Sequence, residues 1–92
     1  MADFSLQIVT QQKTVFNQSV TALTMPGEDG SFGVLAHHAP IIAVLKAGPV
    51  EIRMGSTVLK VEIGGGFFEM EGNKATLLAD SLTGLKTTDE EA

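Results

Sequence analysis

Two adjacent histidines, His37 and His38, follow a stretch that carries the carboxylates Glu28 and Asp29. Imidazole and carboxylate groups are common zinc ligands, and they also act as general acids and bases. In extended backbone, however, adjacent side chains point to opposite faces, so one metal ion can hardly bind both histidines. The chain contains no third histidine and no cysteine. We therefore predict no metal site, and we expect one histidine to pack or hydrogen-bond where a loop leads into a strand, with Pro40 fixing the backbone there.

Three consecutive glycines, Gly64, Gly65 and Gly66, form the second candidate motif. A phosphate-binding loop is followed by the N-terminus of a helix and usually contains a lysine, whereas here the strand-like sequence FFEM follows. The glycine triplet therefore predicts a bulge, or a close approach of the backbone to a neighbouring chain, and not a nucleotide site. No serine lies in a G-x-S-x-G context, so no nucleophile is apparent. We predict no catalytic residue and no cofactor, and hence a binding or structural module instead of an enzyme.

The elements that position these motifs have a period of two residues, which is typical of strands. Phe4, Leu6 and Ile8 alternate with polar neighbours, and two further alternating runs flank Gly55-Ser56, a two-residue turn with glycine first. A second turn is predicted at Gly72-Asn73. Eight to ten short strands without a convincing helix indicate an all-β sandwich or flattened barrel.

Two short apolar runs are less regular. The run at 32–35, FGVL, predicts a buried strand, and the run at 41–45 predicts a strand that is closed by the sequence KAGP. Residues 1–82 are expected to form the β-sandwich domain. The polar and acidic segment 83–92 is expected to be a disordered tail.

Composition limits the possible partners. The chain has 92 residues, of which 43% are hydrophobic, enough for the core of one small domain. Its net charge is −5 with six scattered Lys and Arg residues, which argues against nucleic acid and against direct binding to an anionic membrane. The absence of cysteine fits a reducing compartment, and neither a signal peptide nor an apolar run of membrane-spanning length is apparent.

Several short motifs together resemble the epsilon-subunit family of the F-type ATP synthase. They occur in family order and spacing over positions 3–80: Pro26-Gly27, Gly30, FGVL at 32–35, HAP at 38–40, Gly48 and LAD at 78–80. The resemblance implies a flattened ten-stranded β-sandwich on the central rotor stalk. Such a domain does no chemistry. It binds the gamma subunit and contacts the c-ring, and so couples ion flow to ATP synthesis.

The resemblance also implies site residues and a location. The c-ring contact is expected at Glu28, Asp29, Gly30 and Ser31, and the gamma-subunit contact at His38, Ala43, Gly64, Gly65 and Gly66. The partners imply a large hetero-oligomeric complex. Within it the chain is a peripheral protein at the cytoplasmic face of the bacterial inner membrane, without direct lipid insertion.

Three departures from the family pattern bear on these expectations. His37 has no counterpart in the family motif, and Ser31 stands where an acidic residue is common. The twelve residues after Asp80 are too few for the C-terminal helical hairpin, so we expect no hairpin-based inhibition of ATP hydrolysis. Two alternatives stay open: a free-standing β-sandwich adaptor unrelated to the synthase, and a small histidine-dependent metal-binding protein.

Overall fold

The computed structural model describes residues 2–11 and 13–84, and every regular element among them is a strand. The eight strands are β1 (Phe4–Thr10), β2 (Lys13–Val20), β3 (Ala22–Gly27), β4 (Gly30–Leu35), β5 (Ile41–Met54), β6 (Thr57–Glu71), β7 (Lys74–Ala79) and β8 (Leu82–Thr83). They hydrogen-bond in the order β2-β1-β7-β6-β5-β3-β4, and β8 pairs with β6. In the described part of the chain there is no helix with the length and apolar character needed to cross a membrane.

The long hairpin of β5 and β6 belongs to both layers of the sandwich. Its first layer contains the paired segments 41–45 and 66–71, and β7, β1 and β2 extend that layer beyond β6. Its second layer contains segments 50–54 and 57–63, to which β3, β4 and β8 add. Buried side chains from both layers form one hydrophobic cluster. The predicted all-β sandwich is confirmed.

The eight strands agree with the eight to ten that the alternation predicts, and two of them, β5 and β6, are unusually long. β5 continues through the KAGP sequence, and β6 continues through the glycine triplet. Within the triplet, Gly65 and Gly66 have φ values of 108° and 150°, which side-chain-bearing residues rarely adopt. β6 therefore continues through the triplet, with β7 beside its segment 66–71 and β8 beside Glu62 and Ile63.

Most of the predicted local elements are present. Phe4, Leu6 and Ile8 are buried, and both two-residue turns lie where they are expected. The prediction that FGVL is a buried strand is wrong. Within that run only Val34 is buried and Leu35 is 64% exposed, because β4 is the edge strand of its sheet.

The predicted domain boundary at residue 82 falls inside β8, which pairs with Glu62 and Ile63 of β6. Of the expected tail, residues 85–92 lie outside the described residues.

Candidate subunit-docking surfaces

The first surface is an acidic turn, residues 28–31, at the tip of the β3–β4 hairpin. Gly27 pairs with Gly30, so Glu28 and Asp29 form a two-residue connection, and both side chains are exposed. The backbone N–H of Glu28 donates to the carbonyl of Val44 in β5, with an N···O distance of 3.1 Å. This bond fixes the turn to the edge of β5. The turn therefore presents two carboxylates from a defined position and not from a free loop.

The second surface is an apolar row that crosses the outer face of the first layer. Val9 pairs with Leu78, Leu78 with Phe67, and Phe67 with Val44, so one side chain from each of four adjacent strands lies in a single line. Phe67 is 53% exposed, Leu78 48% and Val44 44%. Ile42, two residues from Val44 on the same face of β5, is 76% exposed.

Polar side chains lie on both sides of the apolar row. On one side the next register positions of β6, β7 and β1 carry Glu69, Thr76 and Gln7. On the other side Asp80 follows β7. An exposed apolar centre with a polar rim is the usual anatomy of a protein–protein interface. The sequence signal for this row is a set of apolar doublets, because a strand that is apolar on both faces does not alternate.

The two surfaces meet at Val44. Its side chain ends the apolar row, and its carbonyl accepts the hydrogen bond from the acidic turn. An open groove of about 480 Å³ runs along this junction, between the acidic turn and the first residues of β5. It is lined by Gly27, Glu28, Asp29, Gly30, Ser31, Phe32, Ile41, Ile42, Ala43 and Val44. One subunit bound to the apolar row and a second subunit bound to the acidic turn can thus lie side by side, with no gap between the two binding surfaces.

Ala43 and His38 lie in different surroundings, although both are predicted to contact gamma. Ala43 is half-buried and pairs with the buried Phe68, so it points to the opposite face of β5 from Val44 and borders the groove. His38 is exposed in the loop before β5. Its N–H donates to the carbonyl of Leu35, and its ring Nδ1 donates to the carbonyl of Ala39 at 2.7 Å. The expected histidine that hydrogen-bonds where the loop leads into β5 is therefore His38.

The glycine triplet lies within β6, where Gly64 pairs with Ala47 and Gly66 with Leu45 of β5. Gly64 is exposed, whereas Gly65 and Gly66 are buried. A Cβ atom on Gly66 would overlap the carbonyl of Leu78, and one on Gly64 would overlap the Oγ of Ser81. The overlap at Gly66 is with backbone, so glycine is required there by close approach within the chain itself, whereas the Ser81 hydroxyl beside Gly64 can rotate away.

A metal site does not assemble around the two histidines. Among residues 2–11 and 13–84 no group of three or more His, Cys, Asp or Glu side chains could hold a metal ion. His37 has a φ of 64°, and its backbone N–H donates to the side-chain oxygen of Asn73 at 2.7 Å. The loop geometry at His37 and His38 is therefore explained by backbone hydrogen bonds.

Known proteins resemble the chain over nearly its whole length. A family model described as the beta-sandwich domain of the ATP synthase delta/epsilon chain matches residues 3–84. An ATP synthase epsilon chain of Bradyrhizobium is 39% identical over all 92 residues, which cover 68% of that relative. An epsilon chain of Chlorobium limicola is 43% identical over 87% of this chain and 92% of its own length. One of Desulforamulus reducens is 38% identical, and the match spans 58% of it.

Two solved structures share the fold. A chain in the Euglena gracilis mitochondrial ATP synthase, described as OSCP/F1/c-ring, has a TM-score of 0.87 at 24% identity, over 97% of this chain and 57% of its own. A chain in the central stalk/c-ring of the Tetrahymena thermophila enzyme has a TM-score of 0.74 at 18% identity, over 86% and 64%. The present chain therefore spans between about half and nine tenths of the proteins that it matches. Since the family model covers nearly the whole chain, this protein belongs to the delta/epsilon chain family of ATP synthase, of which residues 3–84 form the β-sandwich domain.

Proposed function

We propose that this domain is a non-catalytic rotor component of the F-type proton-translocating ATP synthase. It binds the gamma subunit, contacts the c-ring, and so couples ion flow to ATP synthesis. The observation that carries the proposal is the junction at Val44, where an exposed apolar row and an exposed acidic turn meet. A domain that joins two different subunits needs two adjacent surfaces of different chemistry. The alternative of an adaptor unrelated to the synthase is inconsistent with the family membership.

The gamma subunit is assigned to the apolar row. Burial of exposed apolar side chains contributes roughly 25 cal/mol per Å² of area removed from water, so a row of three exposed side chains and the half-buried Val9 can anchor a partner. His38, Ala43 and the exposed Gly64 are proposed to extend this contact. Gly65 and Gly66 are buried and are proposed to act indirectly, because glycine at position 66 permits the close approach to Leu78 that keeps Phe67 paired beside it.

The c-ring is assigned to the acidic turn, residues 28–31. Glu28 and Asp29 are exposed at the tip of a hairpin, where their charges can attract a basic loop. Exposed ion pairs contribute about 0–1 kcal/mol each, so this contact serves orientation and association rate more than affinity. Gly30 and Ser31 complete the turn and carry no charge of their own.

The proposed partners place the domain on the cytoplasmic face of a bacterial inner membrane, as a peripheral part of a large hetero-oligomer. Inhibition of ATP hydrolysis is proposed to lie outside the β-sandwich. The inhibitory element that the family resemblance implies is a helical hairpin, whereas every regular element among the described residues is a strand.

A pull-down from membranes tests this function. The tagged chain is added to membranes that carry ATP synthase depleted of its own epsilon chain, at low and at high ionic strength. We expect gamma to be retained at both salt concentrations, and c-ring retention to be greater at low salt. Proton pumping driven by ATP should be restored with no fall in the rate of ATP hydrolysis. A chain that retains neither subunit at either salt concentration would disprove the proposal.

A further inference from the structure

Asn73 connects three segments that are far apart in the sequence. Its side-chain oxygen accepts the backbone N–H of His37 at 2.7 Å, and its side-chain nitrogen donates to the carbonyl of Asp3 at 3.0 Å. Its own carbonyl accepts the N–H of Ser5 at 3.2 Å. One residue in the β6–β7 turn therefore holds both the start of β1 and the loop between β4 and β5.

The loop that Asn73 holds contains one residue in an uncommon backbone conformation. His37 has a φ of 64°, which is uncommon for a residue other than glycine. Such a conformation persists only where the surroundings maintain it. Two hydrogen bonds maintain it here. The N–H of His38 donates to the carbonyl of Leu35 and closes the turn, and the N–H of His37 donates to the side chain of Asn73 and ties the turn to the β6–β7 hairpin.

Few residue types could replace Asn73. The turn requires a positive φ, here 63°, which glycine and asparagine tolerate best. Glycine would keep the turn but would lose both side-chain hydrogen bonds. Aspartate would keep an acceptor for the N–H of His37, but it has no donor for the carbonyl of Asp3.

We propose that Asn73 is a positioning residue for gamma binding. It maintains the positive φ of His37 and so sets the direction in which the loop presents His38. The gamma part of this inference rests on the proposed function, whereas the loop-holding part can be measured on the isolated chain.

The first experiment measures amide hydrogen exchange of His37 and His38 in the isolated chain. Asn73→Gly should exchange about tenfold faster than wild type at His37, and Asn73→Asp should stay within about threefold, since it keeps the acceptor. Ser56→Gly changes the matching position of the other hairpin turn and should leave both amides unaffected. Unchanged protection of His37 in Asn73→Gly would overturn the inference.

The second experiment measures the affinity of these variants for purified gamma subunit. Asn73→Gly should bind about two- to fivefold more weakly, since misplacing His38 cannot cost more affinity than removing its side chain, whereas Asn73→Asp and Ser56→Gly should bind like wild type. In a His37→Gly background the loop needs no support, because glycine adopts a positive φ freely, so Asn73→Gly should then have little further effect.

Each outcome decides a separate point. If wild type does not bind gamma, the proposed function fails while the exchange data still decide whether Asn73 holds the loop. If Asn73→Gly weakens binding equally in both backgrounds, or unfolds in both, Asn73 stabilises the hairpin in general and the inference is wrong.

Discussion

The acidic turn and the apolar row differ in how they are built. The acidic turn consists of four consecutive residues, so the β3–β4 hairpin alone is enough to present its two carboxylates. The apolar row takes one residue from each of four strands. Its neighbours Val9 and Leu78 are far apart in the sequence, so the row exists only when the strands pair in this register. One surface of this domain is thus set by local sequence, and the other by the pairing of its sheet.

The two surfaces also differ in the free energy that they can supply. Apolar burial scales with area and depends little on salt, whereas exposed carboxylates are screened at physiological ionic strength. The row is therefore suited to hold one partner permanently, and the turn to orient a second. The substitutions below test that division, in decreasing order of expected effect.

Gly66→Ala should abolish the alignment of the row. Glycine at this position has a positive φ, and a Cβ atom would overlap the carbonyl of Leu78. We expect the free energy of unfolding to fall by about 2–4 kcal/mol. Denaturant unfolding followed by far-UV circular dichroism measures it, since the chain has no Trp or Tyr.

Gly55→Ala is the matched control for this change. Gly55 also has a positive φ, but a Cβ atom added there would have no neighbouring atom within 4 Å. We expect a loss of only about 1 kcal/mol, from backbone conformation alone. Equal losses at the two positions would show that the close approach to Leu78 is unimportant.

Phe67→Glu should weaken gamma binding by roughly a hundredfold and leave folding intact. The side chain is exposed at the centre of the row, so a carboxylate is solvated in the free chain and becomes buried without a partner in the complex. Isothermal titration against purified gamma measures the affinity. Val58→Glu replaces an exposed apolar residue in the second layer, and we expect it to bind gamma normally. Similar binding by both variants would remove the row from the interface.

The double variant Glu28→Gln/Asp29→Asn should weaken c-ring binding by about two- to tenfold at low salt. The difference from wild type should shrink as salt is raised, and gamma binding should not change. Surface plasmon resonance on immobilised c-ring gives both rate constants, and the loss should lie mainly in the association rate. Glu62→Gln/Glu71→Gln removes the same charge elsewhere on the surface. If it has the same effect, net charge and not the acidic turn controls c-ring association.

His38→Ala should have the smallest effect, a loss of about two- to fivefold in gamma affinity, since it removes one exposed side chain that lies outside the apolar row. His37→Ala should change the affinity less, because the contact of His37 with the rest of the chain is through its backbone N–H. Parallel titrations of both variants measure the difference. A larger loss for His37→Ala would reverse the roles assigned to the two residues.

The local elements follow from the sequence because their causes are local. Alternation identifies the buried residues of β1, and glycine with a small polar neighbour identifies both two-residue turns. Family membership, which the motif order at 26–48 and 78–80 predicts, is confirmed, and with it the assignment to a non-catalytic subunit. The acidic turn is likewise predicted from four adjacent residues, whereas its contact with the c-ring stays a prediction.

Two expectations failed because their causes are not local. The run FGVL has the composition of a buried strand, but its burial depends on which strand lies beyond it, and β4 lies at an edge. KAGP was expected to close the strand at 41–45, yet β5 pairs with β6 across this position and so continues. Local sequence cannot predict whether a strand continues when its continuation depends on pairing with a strand that is distant in the sequence.

The all-β class, the hairpin turns, the core alternation and the position of the two carboxylates all follow from the sequence alone, because each depends on neighbours within a few residues. The tertiary structure was needed to show that Val9, Leu78, Phe67 and Val44 form one row, since register between distant strands sets which side chains lie side by side. The same holds for Asn73, whose hydrogen bonds reach His37 and Asp3 through the packing of the sheet.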